Sequence, residues 1–235
     1  MPDVVPARAW RVVLEHVERD LLEGRLHPGD RLPPERELAN SLGAGRSSVR
    51  EAPRVLEVMG LIRTGTGSGP TSGAIIIATP RGGLAALLRL QVAAQGFPIE
   101  DVVATRLLLE QWAAGVAAET APDLADARAM LDAMDDPALT ADEFLALDQR
   151  FHLALAEASG NAVVAASMAG LRTAIESYVQ AGARRIADWD AEAAQLRAEH
   201  RGIVEAIEAG DPDLARTRIH DHITGYYAAA GLTRG

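Results

Sequence analysis

The chain has 235 residues, 48% of them hydrophobic and only 4% aromatic, so Leu, Val, Ile and Ala must fill its cores. This composition favours helices, and the absence of cysteine excludes disulfides, thiolate metal ligands and cysteine nucleophiles. There is no signal-like start and no apolar run near the ~18 residues of a membrane span, so we expect a soluble, cytoplasmic protein.

The net charge of −10 is distributed unevenly along the chain. Residues 1–78 contain 10 Arg and 10 acidic residues, whereas residues 79–235 contain 13 Arg and 23 acidic residues. The N-terminal part is therefore not repelled by phosphate. All 23 basic residues are arginine, whose guanidinium suits bidentate contacts with phosphate and guanine.

Residues 1–78 have the pattern of three helices followed by a two-stranded wing. Apolar residues at helical spacing predict the first helix between Ala7 and Gly24. The stretch LPPERELANSLG predicts a short second helix, and after a tight turn a third helix runs from about Ser47 to Gly60. Strands at 61–63 and 74–78 then flank the glycine-rich loop TGTGSGPTSG.

Residues 79–83, with sequence TPRGG, are the predicted linker to a C-terminal domain that spans 84–235. Glycine and proline punctuate this domain, and no strand pattern occurs in it. Its periodicity predicts seven helices, near 84–95, 99–119, 123–134, 140–159, 161–181, 189–209 and 212–230. The fold class is therefore mainly α, a winged helix-turn-helix domain followed by a helical bundle.

Two short helices joined by a tight turn predict a helix-turn-helix, in which the second helix places its N-terminal residues in the major groove. Arginine and serine at that position suit contacts with bases and phosphates, and a glycine-rich wing tip can approach the minor groove. We predict DNA contacts from Arg36, Arg46, Ser47, Ser48, Arg50, Thr66 and Gly67.

The segment LPPERELANSLGAGRSSVREAPRVLEVMGLIRTGTGSG resembles the winged helix of the GntR family of bacterial transcription regulators, over about residues 8–78. The resemblance implies that these arginines, serines and the wing tip contact DNA. The alternative is a winged helix that contacts only protein.

Pro53 departs from the family pattern, which favours an apolar helix former at this position, usually Leu. A proline inside a helix removes a hydrogen bond and clashes with the preceding turn, at a cost of about 3 kcal/mol. We therefore expect a kink, or an early end of the third helix near Ala52, with reduced DNA affinity.

Four residues of the C-terminal domain have the chemistry of a metal site. Asp148 and His152 are one helical turn apart, and His200 and His222 lie on two other predicted helices. Imidazole nitrogens with a carboxylate oxygen suit zinc, and also nickel, manganese or iron. The alternative is isolated surface or core histidines, and His220 is expected at the surface.

The stretches DQRFHLALAEASGN, EHRGIVEAIEAGD and HDHI resemble the FCD ligand-binding domain of the FadR-type GntR subfamily, over about residues 84–230. The resemblance implies a helical bundle in which one Asp and three His hold a metal, here Asp148, His152, His200 and His222.

The same resemblance implies that Arg106 meets the carboxylate of a small organic acid that also reaches the metal. The alternative is a surface arginine paired with Glu110 four residues on. Asn161 would either line the ligand pocket or cap the following helix, and the cap is preferred.

These features predict a DNA-binding transcription regulator, a homodimeric repressor on a palindromic operator, whose DNA binding is modulated by a small carboxylate. In one alternative, the metal ion itself is the signal. In another, the metal activates water for hydrolysis. Catalysis also needs a positioned base, and no further carboxylate or histidine is predicted near the set, so we expect no enzyme.

Overall fold

The computed structural model describes residues 9–43, 46–65, 73–77, 81–94 and 96–231. The chain forms two compact units, Met1–Leu84 and Ala85–Gly235, each with its own hydrophobic core. None of the helices in the described part of the chain is long and apolar enough to cross a membrane.

The first unit contains the predicted three helices and two-stranded wing: α1 (Ala9–Leu22), α2 (Glu35–Leu42), α3 (Arg46–Val58), β1 (Ile62–Gly65) and β2 (Gly73–Ile76). The strands are antiparallel, with Ile62 opposite Ile76. One apolar cluster joins these elements, and its fully buried members include Val13, Val49 and Leu56.

Helix α3 continues through Pro53 to Val58, so the expected early end near Ala52 is wrong. The residues around the proline explain why. Val49, Ala52 and Leu56 are all buried in the core of this unit. Burial of one Val or Leu side chain contributes about 1.5–3 kcal/mol, which offsets a proline cost of about 3 kcal/mol.

We predict that Pro53→Leu raises the unfolding temperature of the winged-helix unit. The substitution restores an N–H that can donate to the Val49 carbonyl, and it stabilises the helix by up to about 3 kcal/mol. Thermal denaturation followed by circular dichroism measures the effect. An unchanged or lower unfolding temperature would show that α3 accommodates the proline without cost.

Seven helices follow in the described part of the chain, the first of which begins before the boundary of the second unit at Ala85. Each lies within a few residues of its prediction: α4 (Arg81–Ala93), α5 (Ile99–Thr120), α6 (Ala125–Met134), α7 (Ala141–Ala158), α8 (Ala162–Ala183), α9 (Trp189–Glu208) and α10 (Pro212–Ala229). Helix α4 begins at Arg81, inside the stretch 79–83 expected as a linker. The predicted mainly α fold is confirmed.

Local capping explains where α7 begins. The Thr140 hydroxyl accepts a hydrogen bond from the Glu143 N–H, and the Glu143 carboxylate accepts one from the Thr140 N–H. This capping box satisfies backbone donors that have no partner within the helix. It thereby sets the register that brings two polar residues of α7, Asp148 and His152, into the interior.

Helix α5 packs against α7, α8, α9 and α10. A side chain on its inner face can therefore reach several other helices at once. Arg106 and Glu110, one turn apart on α5, are both buried there.

Gly170 allows α4 to approach α8 closely. A Cβ atom on Gly170 would lie 2.7 Å from Leu88 Cδ1 and 3.1 Å from Ala85 Cα. The Leu88 side chain can move away, but Ala85 Cα belongs to the backbone of α4. We predict that Gly170→Ala lowers the unfolding temperature and speeds amide exchange in α4, because the added methyl pushes α4 away from α8.

Gly225→Ala is the matched control. Gly225 is exposed inside α10, and an added Cβ meets nothing within 4 Å. Alanine should stabilise this helix by about 0.5–1 kcal/mol. If Gly170→Ala stabilised the protein as Gly225→Ala does, the close approach of α4 would not constrain the fold.

Candidate functional site

Three helices of the bundle bring the four predicted metal ligands together. Asp148 and His152 come from α7, His200 from α9 and His222 from α10. All four are buried, and one donor atom of each lies within 4.8 Å of the others. The bundle therefore contains a buried group of one aspartate and three histidines that could hold a metal ion.

The spacing of these donor atoms fits a metal ion at their centre. His222 Nε2 lies 3.1 Å from His152 Nε2 and 3.2 Å from His200 Nε2. Asp148 Oδ1 lies 3.0 Å from His200 Nε2 and 3.5 Å from His152 Nε2. Ligands that bind a tetrahedral ion at ~2.0 Å are about 3.3 Å apart.

Outer carboxylates orient two of the three imidazoles. His222 Nδ1 lies 2.8 Å from Glu199 Oε2, and His152 Nδ1 contacts Glu110 Oε2. A carboxylate that keeps the proton on Nδ1 leaves the Nε2 lone pair free for a metal. Carboxylates have this role beside ligating histidines in known metal sites. Lone pairs that converge in a buried place are unfavourable without a cation between them. The donor set thus fits a bound divalent ion.

The protonation states of these side chains also suit a metal. Burial lowers the pKa of His200 and of His222, so both rings are neutral at neutral pH. Burial alone would raise the pKa of the Asp148 carboxyl, but the neighbouring His152 and Arg172 hold that pKa well below its ordinary value. Neutral imidazoles and an ionised carboxylate are the forms that bind metal.

Arg106 is buried, which excludes the alternative of a surface arginine. Its Nε nonetheless donates to Glu110, the partner considered in that alternative. Its Nη1 lies 3.3 Å from the Tyr227 hydroxyl. Burial lowers the pKa of a guanidinium, but Glu110, Tyr227 and Asp148 together outweigh this and raise the pKa of Arg106, which stays charged.

Three charged residues at the site were not found from the sequence: Glu110 as a contact of a metal ligand, Arg172 and Glu199. The expectation that no further carboxylate lies near the four ligands was therefore wrong. Arg172 Nη2 donates to Asp148 Oδ2 at 2.7 Å. It is the only charged residue between Ala162 and Ile175, a pattern that could have indicated a buried, paired arginine.

Two small cavities lie beside Arg106, and the second also reaches two of the candidate metal ligands. Arg106 and Arg172 line one of them, together with Leu145 and Ile175. Arg106 also lines the other, together with Asp148, His222, Tyr226 and Tyr227. Their volumes are ≈ 20 and ≈ 10 Å³, about one water molecule each. The arginine and the metal ligands thus face a common space.

Asn161 and His220 have the positions preferred from the sequence. The Asn161 amide oxygen accepts hydrogen bonds from Val163 N at 3.0 Å and Val164 N at 3.2 Å, which caps α8. Asn161 is not among the residues that line the two cavities. His220 is exposed and contacts Asp221.

Five of the seven residues predicted to contact DNA lie on α2 and α3. Arg36 on α2 and Arg50 on α3 are exposed, and Arg50 Nε is 3.6 Å from Glu35 Oε2. The other predicted residues of α3, Arg46, Ser47 and Ser48, form its first turn. Thr66 and Gly67 lie outside the described residues.

Comparison with known families identifies both units. The family model of the FCD domain matches residues 101–225, and the model described as bacterial regulatory proteins, gntR family, matches residues 11–71. The chain belongs to the GntR family. It is a DNA-binding transcription regulator with a ligand-binding FCD domain, as the resemblance to the FadR-type subfamily implied.

Individual relatives agree with this assignment. An Escherichia coli K12 protein named as a regulatory protein of the L-lactate dehydrogenase operon is 30% identical over 226 residues, which are 94% of this chain and 86% of that protein. The transcriptional repressor NanR of Citrobacter rodentium is 31% identical, over 92% and 83% of the two chains. A solved Streptococcus agalactiae GntR structure matches with TM-score 0.58 and 25% identity, over 92% and 98% of the chains.

We predict that His200→Ala and His222→Ala each abolish stoichiometric metal binding by this GntR-family regulator. Removal of one of four ligands opens the coordination sphere. Metal content after reconstitution with zinc and desalting, measured by plasma mass spectrometry, is the test. The control is His220→Ala, an exposed histidine two residues from His222, which should keep its metal. Full metal content in either variant would refute the ligand assignment.

Proposed function

We propose that this GntR-family protein is a metal-containing, metabolite-responsive repressor. A small carboxylate would enter the space between the metal, Arg106 and Arg172 and change the operator affinity of a homodimer. The observation that carries the proposal is the second cavity, which is lined jointly by Arg106 and by the metal-ligand residues Asp148 and His222.

The ion would be held by Asp148, His152, His200 and His222. Zinc is our preferred ion, and nickel, manganese or iron suit the same donor set. When bound, the ion supplies a Lewis-acidic attachment point for a carboxylate oxygen.

The balance of buried charge favours an anionic ligand. Next to the histidines, the charges of two buried arginines and two buried carboxylates cancel: Arg106, Arg172, Glu110 and Asp148. A divalent ion would add two positive charges, which the partly exposed Glu199 offsets only in part. Uncompensated charge inside a protein is costly. An anion at the metal would reduce that cost.

The size of the site favours a small, hydrophilic acid over a long acyl chain. The two cavities have room for about one water molecule each, far less than a long acyl chain occupies, and both are lined by the charged Arg106. The relative named for the L-lactate dehydrogenase operon supports an acid of this size. We propose a small organic acid as the effector class.

For the operator, we propose contacts from the first turn of α3 and the neighbouring surface: Arg36, Arg46, Ser47, Ser48, Arg50, Thr66 and Gly67. A two-fold dimer reads a palindrome whose half-sites match its symmetry axis. The effector must bind the DNA-competent and DNA-incompetent arrangements with different affinity, because otherwise it shifts neither population.

We predict that one or more small mono-, di- or tricarboxylates raise the unfolding temperature of the zinc-loaded protein, and that Arg106→Ala removes the shift. A ligand that binds only the folded state stabilises it by about 2.7 kcal/mol at a hundred times its dissociation constant. The matched control is Arg201→Ala, which removes an exposed arginine paired with Asp135 and should keep the shift.

The absence of a shift with every acid, on protein verified to contain zinc, would overturn the carboxylate proposal. Operator binding measured at buffered free zinc concentrations would then test the alternative function, in which the metal ion is the signal. An operator affinity that changes reversibly with free zinc would support ion sensing.

A further inference from the structure

Glu110 is a buried carboxylate that has a different partner for each oxygen. Glu110 is only 4% exposed. Oε1 accepts a hydrogen bond from Arg106 Nε and lies 3.4 Å from Arg172 Nη1. Oε2 contacts His152 Nδ1. One side chain on α5 therefore touches both arginines and a metal-ligating histidine.

These contacts belong to a closed ring of polar groups. Arg172 also donates to Asp148 Oδ2, whereas Asp148 Oδ1 faces the imidazoles. In this ring, Glu110 contacts His152, and the Nε2 atom of His152 faces Asp148. Arg172 then joins Asp148 to Glu110. Such a network is stable only if every member keeps its partner.

We propose that Glu110 is the positioning residue that couples the metal centre to Arg106. This inference rests on the proposed function. Through Oε2, Glu110 keeps the proton of His152 on Nδ1 and leaves Nε2 free to bind the ion. Through Oε1, it holds the Arg106 guanidinium at the cavities, where an unpaired buried charge would be costly.

Holding the proton of His152 and holding the Arg106 guanidinium each require a hydrogen-bond acceptor, one on each oxygen of the Glu110 carboxylate. The amide introduced by Glu110→Gln has one oxygen and one NH2 group. If the oxygen faces the arginines, the NH2 group faces His152 Nδ1 and drives the proton of His152 to Nε2, where it blocks metal binding. If the oxygen faces His152, the NH2 group faces the two guanidinium groups. One task is lost in either orientation.

Glu199 is a matched control within the same site. It contacts the Nδ1 atom of His222 as Glu110 contacts that of His152, but its side chain is 28% exposed. Its other oxygen accepts from Gln195 Nε2 at 2.8 Å. After Glu199→Gln, the Gln195 amide can turn over and present its oxygen, so both ends remain satisfied.

The test measures the zinc dissociation constant of the full-length protein by competition with a chromophoric chelator. We expect Glu110→Gln to weaken zinc binding by about 10–100-fold, the usual effect of losing a carboxylate that orients a ligating histidine. Glu199→Gln should weaken it by clearly less. An unchanged zinc affinity in Glu110→Gln, or equal losses in both variants, would overturn the special role of Glu110.

A double-mutant cycle tests the coupling without any effector. With Arg106→Ala already present, an amide oxygen turned to His152 leaves the NH2 group facing only Arg172, at 3.4 Å, and not two guanidinium groups, so the loss of zinc affinity should be smaller than in the parent protein. Equal losses in both backgrounds would show that Glu110 serves His152 alone. Because this cycle uses zinc only, its failure is distinct from a failure of the carboxylate screen.

A spectroscopic measurement covers the case in which Glu110→Gln does not fold. Long-range proton–nitrogen correlation spectra of zinc-free wild-type protein, labelled at histidine, report which ring nitrogen carries the proton. We expect His152 to be protonated on Nδ1. A proton on Nε2 of His152 would contradict the proposal.

Discussion

Three imidazole nitrogens and one carboxylate oxygen converge inside a helical bundle, and this convergence determines which side chains can surround them. Unpaired polar groups are expensive in such a place. Three of the four donor residues are therefore supported from outside: His152 by Glu110, His222 by Glu199 and Asp148 by Arg172. The buried charges of α5 and α8 are therefore the surroundings of one buried group that could hold a metal ion.

The fold supplies these groups because α5 lies among the other helices of the second unit. It packs against α7 and α10, which carry three of the four donor residues, and also against α8 and α9. Arg106 and Glu110 are one turn apart on α5, so a single helical face presents a guanidinium to the cavities and a carboxylate to the metal ligands. Under the proposed function, ligand recognition and metal binding would share this one helix.

Much of the fold could be predicted because it depends on local signals. Apolar periodicity and glycine or proline punctuation located the helices of the second unit to within a few residues. Pro53 shows where a local signal is insufficient. The local rule predicts a kink or a helix end, and the helix end is wrong because the burial of Val49 and Leu56 on either side of the proline keeps α3 helical to Val58.

The candidate site was only partly predictable. The four candidate metal ligands could be named because Asp148 and His152 share a helix face, because His200 and His222 lie on two other predicted helices, and because the FCD resemblance implies such a set. The structure places their donor atoms close together. Glu199 has no such signal, and the isolated charge of Arg172 does not reveal its partner. Their partners, His222 and Asp148, are on other helices and become neighbours only through tertiary packing. The Glu110 contact with His152, between α5 and α7, is of the same kind.

Anomalous X-ray diffraction from crystals of the zinc-loaded protein, recorded on both sides of the zinc absorption edge, tests the central claim most directly. We expect one strong anomalous peak in each bundle, within bonding distance of Asp148 Oδ1 and of the Nε2 atoms of His152, His200 and His222. A peak elsewhere, or none at this position in protein verified to contain zinc, would contradict the account.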